Sequence, residues 1–280
     1  MSIALALASA LLFGTGDFYG GLASRRTSAT AVIVCSQLIG LLVLVPALIL
    51  IPSQFDLASV AWGAGGGLAG SVALLLFLRS LALGSMSVAA PLTALGSASV
   101  PVLIGFALGE RVSALALAGM TIAIVAAVLI SAEGGHLPGP RQLLSNHATG
   151  GALAAGALFG LFFVLLAQSN PASGLWSLAG GRVSSITLMI AVGLIAHRPL
   201  RPERSVVAPV IIAGLADMTA NVLFLLSTRL GMLSTTAVLI ALYPAVIVIL
   251  ARVRLHEKAH PIQLAGFAAA AVAVTCIALG

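Results

Sequence analysis

Long apolar runs separated by short polar breaks are the main pattern along this chain. Ten such runs predict helices over residues 2–22, 28–51, 59–82, 86–108, 112–131, 149–169, 173–196, 206–228, 231–251 and 260–280. Each has about the 20 residues that a helix needs to cross the hydrocarbon core of a bilayer. Backbone polar groups in lipid must be paired within the protein, and runs this uniform lack the alternation of barrel strands. The pattern therefore predicts an all-α polytopic membrane protein with ten transmembrane helices.

Composition leaves little room for a soluble domain. Hydrophobic residues make up 60% of the chain, charged residues make up 7%, and the mean hydropathy is +1.19. Ordinary globular domains carry about 25% charged residues. The net charge is +6, but the basic residues are spread over loop ends, which argues against a nucleic-acid partner. We expect membrane lipid to surround the protein.

The apolar pattern occurs twice. Residues 67–130 align without a gap with residues 214–277, and about two-fifths of the aligned positions are identical, well above chance for this composition. The most informative matches involve the rarer residue types: Gly67/Gly214, Phe77/Phe224, Ser80/Ser227, Gly84/Gly231, Ser87/Ser234, Glu110/Glu257 and Gly119/Gly266. The pair Phe13-Gly14 also matches Phe159-Gly160. We therefore expect a first repeat over residues 1–131, a linker over 132–148 and a second repeat over 149–280, in one membrane domain.

Each repeat contains five predicted spans. An odd number of crossings inserts the second copy upside down, so a pseudo-two-fold axis in the membrane plane should relate the two repeats. Doubled bundles of this kind are typical of secondary carriers, whose substrate binds midway through the membrane between the halves. The sequence therefore predicts a transport protein with a central binding site.

Two matching motifs resemble a known family. A Gly-led hairpin enters an apolar span that ends in an acidic-basic pair, at residues 83–87 and 109–111 and again at 230–234 and 256–258. These motifs resemble the ten-helix EamA-type branch of the drug/metabolite transporter superfamily. Arg182 also resembles a basic residue common at that place in the family, whereas its repeat counterpart, Gln37, departs from the pattern. The resemblance implies export or exchange of amino acids, metabolites or small drugs across the bacterial inner membrane, without ATP hydrolysis.

Two criteria for the orientation in the membrane disagree. If the N-terminus is outside, about ten basic residues lie in internal loops: Arg25, Arg26, Arg79, Arg141, Arg198, Arg201, Arg204, Arg252, Arg254 and Lys258. The external loops then hold only Arg111 and Arg229. Since positive charges are retained in the cytoplasm, the count favours both termini outside. The family resemblance favours both termini in the cytoplasm.

Arg182, Asp217 and Asn221 are the main candidates for substrate contact. Arg182 and Asp217 lie near the middle of predicted spans, where insertion scales assign an ionisable group a cost of about 2.5 to 3.5 kcal/mol. One interpretation is that Asp217 binds the ammonium and Arg182 the carboxylate of a zwitterion. The alternative is a buried ion pair that only holds the two helices together. Asn221 lies one helical turn after Asp217 and extends the polar patch.

Asp17 is the candidate for coupling to a proton. It lies toward the end of the first span, where a carboxylate can bind and release a proton during transport. The alternative is an ion pair with Arg25 or Arg26, near the membrane interface. Its repeat counterpart is Phe163 or a neighbour, so a coupling role would belong to one half only.

Glu110 and Glu257 are the candidates for a gating or structural role at the membrane boundary. Each ends a span beside a basic residue and could cap the next helix, since negative charge is favourable near a helix N-terminus. Gly84 and Gly231 mark the matching hairpins.

Prolines inside two spans predict bent helices. Pro91 and Pro101 in the fourth span and Pro244 in the ninth remove helix hydrogen bonds. The side chains of Thr93, Ser97 and Tyr243 could bind the freed carbonyls or face a cavity, so we include them among the candidate substrate contacts. Bent helices in both halves suit a carrier that works by a rocking motion.

No other chemistry is indicated. The sequence lacks a phosphate-binding loop and close metal-ligand spacing, so we expect no catalytic residues, no metal and no cofactor. The expected partners are a small-molecule substrate, with amino acids favoured, a proton as candidate coupling ion, and membrane lipid, in a monomer or weak homodimer. The alternatives are a multidrug or cation exporter of the same superfamily, and a non-transport membrane partner or lipid-handling protein.

Overall fold

The computed structural model describes residues 1–51, 53–83, 86–130, 147–255 and 260–280. Within these ranges it describes only the backbone of residues 78–83, 86–92, 147–149 and 255. In these residues the regular structure is helical throughout. The helices are α1 (Ser2–Ser24), α2 (Ala29–Leu50), α3 (Leu57–Leu83), α4 (Met86–Ala107), α5 (Ala114–Ile130), α6 (His147–Ala167), α7 (Trp176–Ile195), α8 (Val207–Leu230), α9 (Leu233–Ile240), α10 (Pro244–Leu255) and α11 (Pro261–Leu279). The all-helical prediction is confirmed for this part of the chain.

Every predicted span overlaps a helix, and the ninth span is divided between α9 and α10. Within the described residues, eight segments are long and apolar enough to cross a membrane, with Leu233–Arg254 counted as one. Two further apolar helices, Thr93–Ala107 and Ala114–Ile130, are shorter than the others. A polytopic membrane protein is therefore supported, and the number of ten crossings stays a prediction.

Polar residues fix where two of the helices begin. Ser28 accepts a hydrogen bond from the N–H of Ala31 at 3.2 Å and so caps α2. Asp56 accepts hydrogen bonds at the start of α3 from the N–H groups of Ala58 and Ser59, at 3.2 and 3.1 Å. The hydrogen bond from the Ser59 hydroxyl, together with the two backbone hydrogen bonds, lowers the pKa of Asp56 from its ordinary value, although desolvation opposes this shift. Such caps satisfy N–H groups that have no partner within the helix.

Counterpart helices of the two halves pack antiparallel. Gln263 near the start of α11 donates to the carbonyl of Ile130 at the end of α5, at 3.3 Å. Gly280 after the end of α11 lies beside Ala116 near the start of α5. In the same way Gly193 near the end of α7 packs against Thr30 near the start of α2. In these two counterpart pairs, α5 with α11 and α2 with α7, the helices therefore run in opposite directions.

Two close glycine contacts between the halves involve counterpart positions. A Cβ atom added to Gly14 on α1 would lie 2.5 Å from the carbonyl oxygen of Tyr243, and one added to Gly160 on α6 would lie 3.1 Å from that of Gly96. Tyr243 and Gly96 correspond to each other in the aligned repeats, as Gly14 and Gly160 do. Small residues let helix backbones approach closely in a membrane. The same helix contact is thus made twice, with the halves exchanged.

The ninth span is broken rather than bent. A turn over residues 241–243 separates α9 from α10, which begins at Pro244. The N–H of Tyr243 donates to the carbonyl of Ile240 at 2.8 Å. This carbonyl lies four residues before Pro244 and is the one that the proline leaves without its helical donor. Helix α4, in contrast, continues through Pro101 to Ala107, and the side chain of Pro91 lies outside the described residues.

Candidate functional site

A cavity lies where helices of both halves meet. Its walls come from α1, α2, α3, α4, α6, α7 and α8 and from the break between α9 and α10. The free space amounts to about 110 Å³, enough for several water molecules or a small solute. Most of the lining residues lie near the middle of their helices. The cavity is therefore placed where a solute would be held away from both membrane surfaces.

An ion pair with a hydrogen-bonded amide forms one wall. Arg182 on α7 donates from one guanidinium nitrogen to the carboxylate of Asp217 on α8 and from another to the amide oxygen of Gln37 on α2. The Arg182 side chain is 8% exposed, whereas that of Asp217 is 39% exposed. The guanidinium is therefore enclosed by protein partners while the carboxylate is partly open.

Asn221 extends this wall by one helical turn. Its amide nitrogen donates to the backbone carbonyl of Asp217 at 2.7 Å and to the Asp217 carboxylate at 3.3 Å. The Asn221 amide oxygen is buried without a hydrogen-bond partner in the protein, and so is the hydroxyl of Ser185 on α7. Both residues line the cavity and are at most 4% exposed. Buried polar atoms normally have partners, so these two groups leave hydrogen-bonding capacity for a solute or water in the cavity.

Asp17 on α1 also lines the cavity, and the preceding residue, Gly16, packs against the backbone of α8 at Asp217. Asp17 makes no hydrogen bond or ion pair with a described residue, so the expected alternative, a pair with Arg25 or Arg26, is not found. The Asp17 carboxylate is close enough to that of Asp217 for the two negative charges to repel each other. It is also close enough to the Tyr243 side chain for an electrostatic interaction. Two carboxylates therefore face one cavity that holds a single guanidinium.

Four phenylalanine rings form the apolar wall, which the sequence interpretation missed. They are Phe13 on α1 and Phe159, Phe162 and Phe163 on α6. The ring centres of Phe13 and Phe163 lie 5.9 Å apart, and those of Phe162 and Phe163 lie 5.2 Å apart. The match between Phe13-Gly14 and Phe159-Gly160 in the repeats was the signal that pointed to two of these rings.

The remaining candidate contacts fall into two groups. Ser97 and Tyr243 line the cavity, and the Ser97 hydroxyl donates to the carbonyl of Ala94 at 3.0 Å. Thr93 is fully buried elsewhere and donates to the carbonyl of Ala152 on α6 at 3.1 Å. Thr93 therefore joins α4 to α6 and does not line the cavity.

Glu110 caps a helix of the other half. Its carboxylate accepts hydrogen bonds from the N–H groups of Leu233 at 2.6 Å and Ser234 at 3.1 Å, at the start of α9. The expectation that Glu110 caps the next helix, α5, is wrong, because α4, the α4–α5 loop and α9 converge at this point. Gly231 precedes α9 and packs against Ser2. Gly84 and Glu257 lie outside the described residues.

The described residues offer no metal centre. No group of three His, Cys, Asp or Glu side chains comes together in them. Arg182, Asp17 and Asp217 are the ionisable side chains placed deepest in the bundle with access to the cavity. What the arrangement can do is bind a small polar solute through charge and hydrogen bonds, beside an aromatic surface.

Comparison with known proteins agrees with this architecture. A solved structure described as "Crystal structure of protein" superposes with a TM-score of 0.75 at 18% identity, over 99% of this chain and 96% of the other. At that identity the likeness concerns the fold alone. No curated protein sequence matches this chain. Residues 1–132 match the EamA-like transporter family, which confirms the predicted resemblance for this part of the chain.

Proposed function

We propose that this protein is a secondary carrier or facilitator that moves a small amine-bearing metabolite, with amino acids as the first candidates, across the bacterial inner membrane. The observation that carries this proposal is the central cavity, with its partly open Asp217, the unpaired Asp17 and the phenylalanine wall. Charged groups at mid-depth in a membrane protein are costly and commonly mark a solute pathway.

Alternating access between two inverted repeats is the mechanism that we propose. The antiparallel counterpart helices and the exchanged glycine contacts support it. Counterpart positions also occur together in the cavity lining, as Gln37 and Arg182, Gly70 and Asp217, and Phe13 and Phe159 do. A binding site at the junction of two such repeats becomes open to either side when one repeat rocks against the other.

The distribution of basic residues supports an orientation with both termini outside. The hydrogen bond from Ser28 to the carbonyl of Pro199, at 2.8 Å, places the α7–α8 loop beside the α1–α2 loop. These two loops together carry five arginines on one face: Arg25, Arg26, Arg198, Arg201 and Arg204. Since positive charge is retained in the cytoplasm, we propose that this is the cytoplasmic face.

A substrate with an ammonium group would place that group at Asp217, whose carboxylate is partly exposed. In this proposal the ion pair joins α7 to α8, and its Asp217 carboxylate is also accessible to the solute. Asp17 is the proposed proton acceptor, because it faces the cavity without an ion-pair partner among the described residues. A proton gradient would then drive accumulation of the solute.

Transport by the purified protein in liposomes tests the proposal. A panel of labelled amino acids and amines is offered with and without an imposed proton gradient, and we expect saturable uptake of at least one member. Asp217→Asn should lower that uptake at least about tenfold, because it removes a charged hydrogen-bond acceptor. Glu203→Gln is the matched control, since Glu203 is an exposed loop acid far from the cavity lining. The absence of saturable flux for the whole panel would contradict the proposal.

The phenylalanine wall favours a second candidate, export of aromatic cationic drugs by the same cavity. Cations bind to aromatic faces, with a free energy of about 0.5 to 2 kcal/mol. Competition of a bulky aromatic cation with the transported amino acid distinguishes this candidate from the first. Transport of the drug with no flux of any amino acid would favour it.

A further inference from the structure

We infer that the cavity selects a protonated primary amine attached to a compact apolar body, and that a carboxylate on the same solute weakens binding. This inference rests on the proposed carrier function and names the substrate class of its site. It differs from the zwitterion expected from the sequence, because the structure shows which groups in the cavity are already satisfied.

The only cation in the described cavity lining is not available to a substrate. Two nitrogens of the Arg182 guanidinium are bound to Asp217 and Gln37, and the residue is 7% exposed. A substrate carboxylate could bind Arg182 only by displacing one of these partners. Displacing Asp217 would leave a carboxylate unpaired inside the protein, which is strongly unfavourable.

Apart from the Ser185 hydroxyl, which can donate or accept, the cavity-lining groups without a full set of partners are acceptors. The Asn221 amide oxygen has no partner, the Asp17 carboxylate has no ion pair with a described residue, and the Asp217 carboxylate is partly exposed. A primary ammonium carries three N–H donors and can satisfy three acceptors of this kind. Asp17, Asp217 and Arg182 together give the cavity a formal net charge of −1, which also attracts a cation.

A carboxylate would find only neutral donors. These are the amide of Gln37 and the hydroxyls of Tyr243 and Ser185, which line the cavity. Neutral donors compensate poorly for the desolvation of an anion, and the two nearby aspartates would repel it. The electrostatics of the lining therefore oppose the carboxylate end of a zwitterion.

The rest of the solute meets an apolar surface. Phe13, Phe159, Phe162 and Phe163 line the cavity beside these acceptors. Apolar area removed from water contributes about 25 cal/mol per Å², and the ring faces also attract a cation. A small space and an aromatic wall together favour a short alkyl or arylalkyl tail on the amine.

Matched ligands test this inference. Phenethylamine, phenylalanine and 3-phenylpropionate share one ring and differ in the charged groups, as isopentylamine, leucine and 4-methylpentanoate do for an alkyl chain. Binding is measured by displacement of a labelled amine from the purified protein, and movement by counterflow in liposomes. We expect each amine to bind about tenfold or more tightly than its amino acid, and the acids not to bind.

The outcomes separate the two proposals. Tighter binding of the amino acids would overturn the substrate class and leave the carrier function standing. No binding or flux for any of the six ligands would reject the carrier function, and the inference with it. Asn221→Leu gives the residue found at the counterpart position, Leu74, and should weaken amine binding about tenfold. Thr219→Val, on the exposed side of α8, is the matched control. Unchanged amine binding in Asn221→Leu would also overturn the inference.

Discussion

Gln37 on α2 accepts a hydrogen bond from Arg182 on α7, and these two residues are repeat counterparts of each other. If the two halves are inverted repeats, as we propose, counterparts can touch only near the axis that relates them, and this contact would mark the centre of the bundle. The same guanidinium binds Asp217 on α8. One buried cation therefore joins three helices beside the cavity.

The first prediction concerns the stability of this junction. Arg182→Gln should lower the free energy of unfolding by about 1.5–3 kcal/mol, because the partly exposed Asp217 loses its only ion pair with a described residue. The double substitution Arg182→Gln with Asp217→Asn should restore much of that loss, since two neutral amides can bond with each other. Thermal unfolding of the detergent-solubilised protein provides the measurement. Equal stability of the single and double variants would show that the unpaired Asp217 carboxylate costs nothing, and an Arg182→Gln variant as stable as the original protein would contradict a stabilising ion pair.

The positions of the helices could be predicted because their cause is local. Residues 86–108 were predicted as a span, and α4 extends over Met86–Ala107. The apolar runs and polar breaks that define a helix lie within its own segment of sequence, so the helix can be predicted without knowledge of distant contacts. The division between α9 and α10 was not predicted. Pro244 indicated that the helix is disturbed there. Whether the helix kinks or breaks depends on whether the Tyr243 N–H binds the Ile240 carbonyl, and this hydrogen bond forms only in the folded geometry.

The cavity was predictable only in part. Arg182, Asp217 and Asn221 stood out because charge and amide groups are costly in lipid. Gln37 was recognised only as a departure from the family, since its contact with Arg182 spans 145 positions of sequence. The phenylalanine wall was missed because aromatic residues inside apolar runs look like ordinary lipid-facing or core residues. Thr93 and Ser97 lie one turn apart on α4 and still face different surroundings, as only packing can decide.

The second prediction tests the close approach of α1 to the helix break. Gly14→Ala should destabilise the protein by about 1–3 kcal/mol, because the new methyl group would lie 2.5 Å from the Tyr243 carbonyl and 2.6 Å from Val246. Gly21→Ala, one to two turns further along the helix, meets nothing within 4 Å and should be neutral or raise stability by up to about 1 kcal/mol. Unfolding temperatures of the two variants are compared directly. A stable Gly14→Ala variant would show that the two segments separate easily.

The third prediction concerns the cap on α9. Glu110→Ala should cost about 1–2 kcal/mol of stability, because the N–H groups of Leu233 and Ser234 lose their acceptor. Glu110→Gln should cost less, since an amide oxygen still accepts one of these hydrogen bonds. Arg111→Gln in the same loop is an exposed control and should have little effect. Equal losses in Glu110→Ala and Arg111→Gln would argue against capping.

The fourth prediction separates proton coupling from solute binding at Asp17. Asp17→Asn cannot exchange a proton, so gradient-driven accumulation should fall to the equilibrium level while exchange of labelled for unlabelled solute continues. Both are measured in the same liposome preparation. Accumulation that persists in Asp17→Asn would assign the coupling to another group.

The fifth prediction concerns orientation. In a Cys35→Ser and Cys276→Ser background, a cysteine introduced at Ser205 should react with a membrane-impermeant maleimide only from the cytoplasmic side. One introduced at Arg111 should react only from outside. Both positions are exposed in the structure. The reverse labelling pattern would place both termini in the cytoplasm, as the family resemblance implies.

Helix α4 and its counterpart, the α9–α10 segment, differ in structure. Helix α4 is continuous, whereas its counterpart is split by the turn at residues 241–243, directly beside the cavity. This turn gives one half a point of bending that the other half lacks. In the proposed carrier, the inward-open and outward-open forms would then differ in free energy, and import and export would run at different rates.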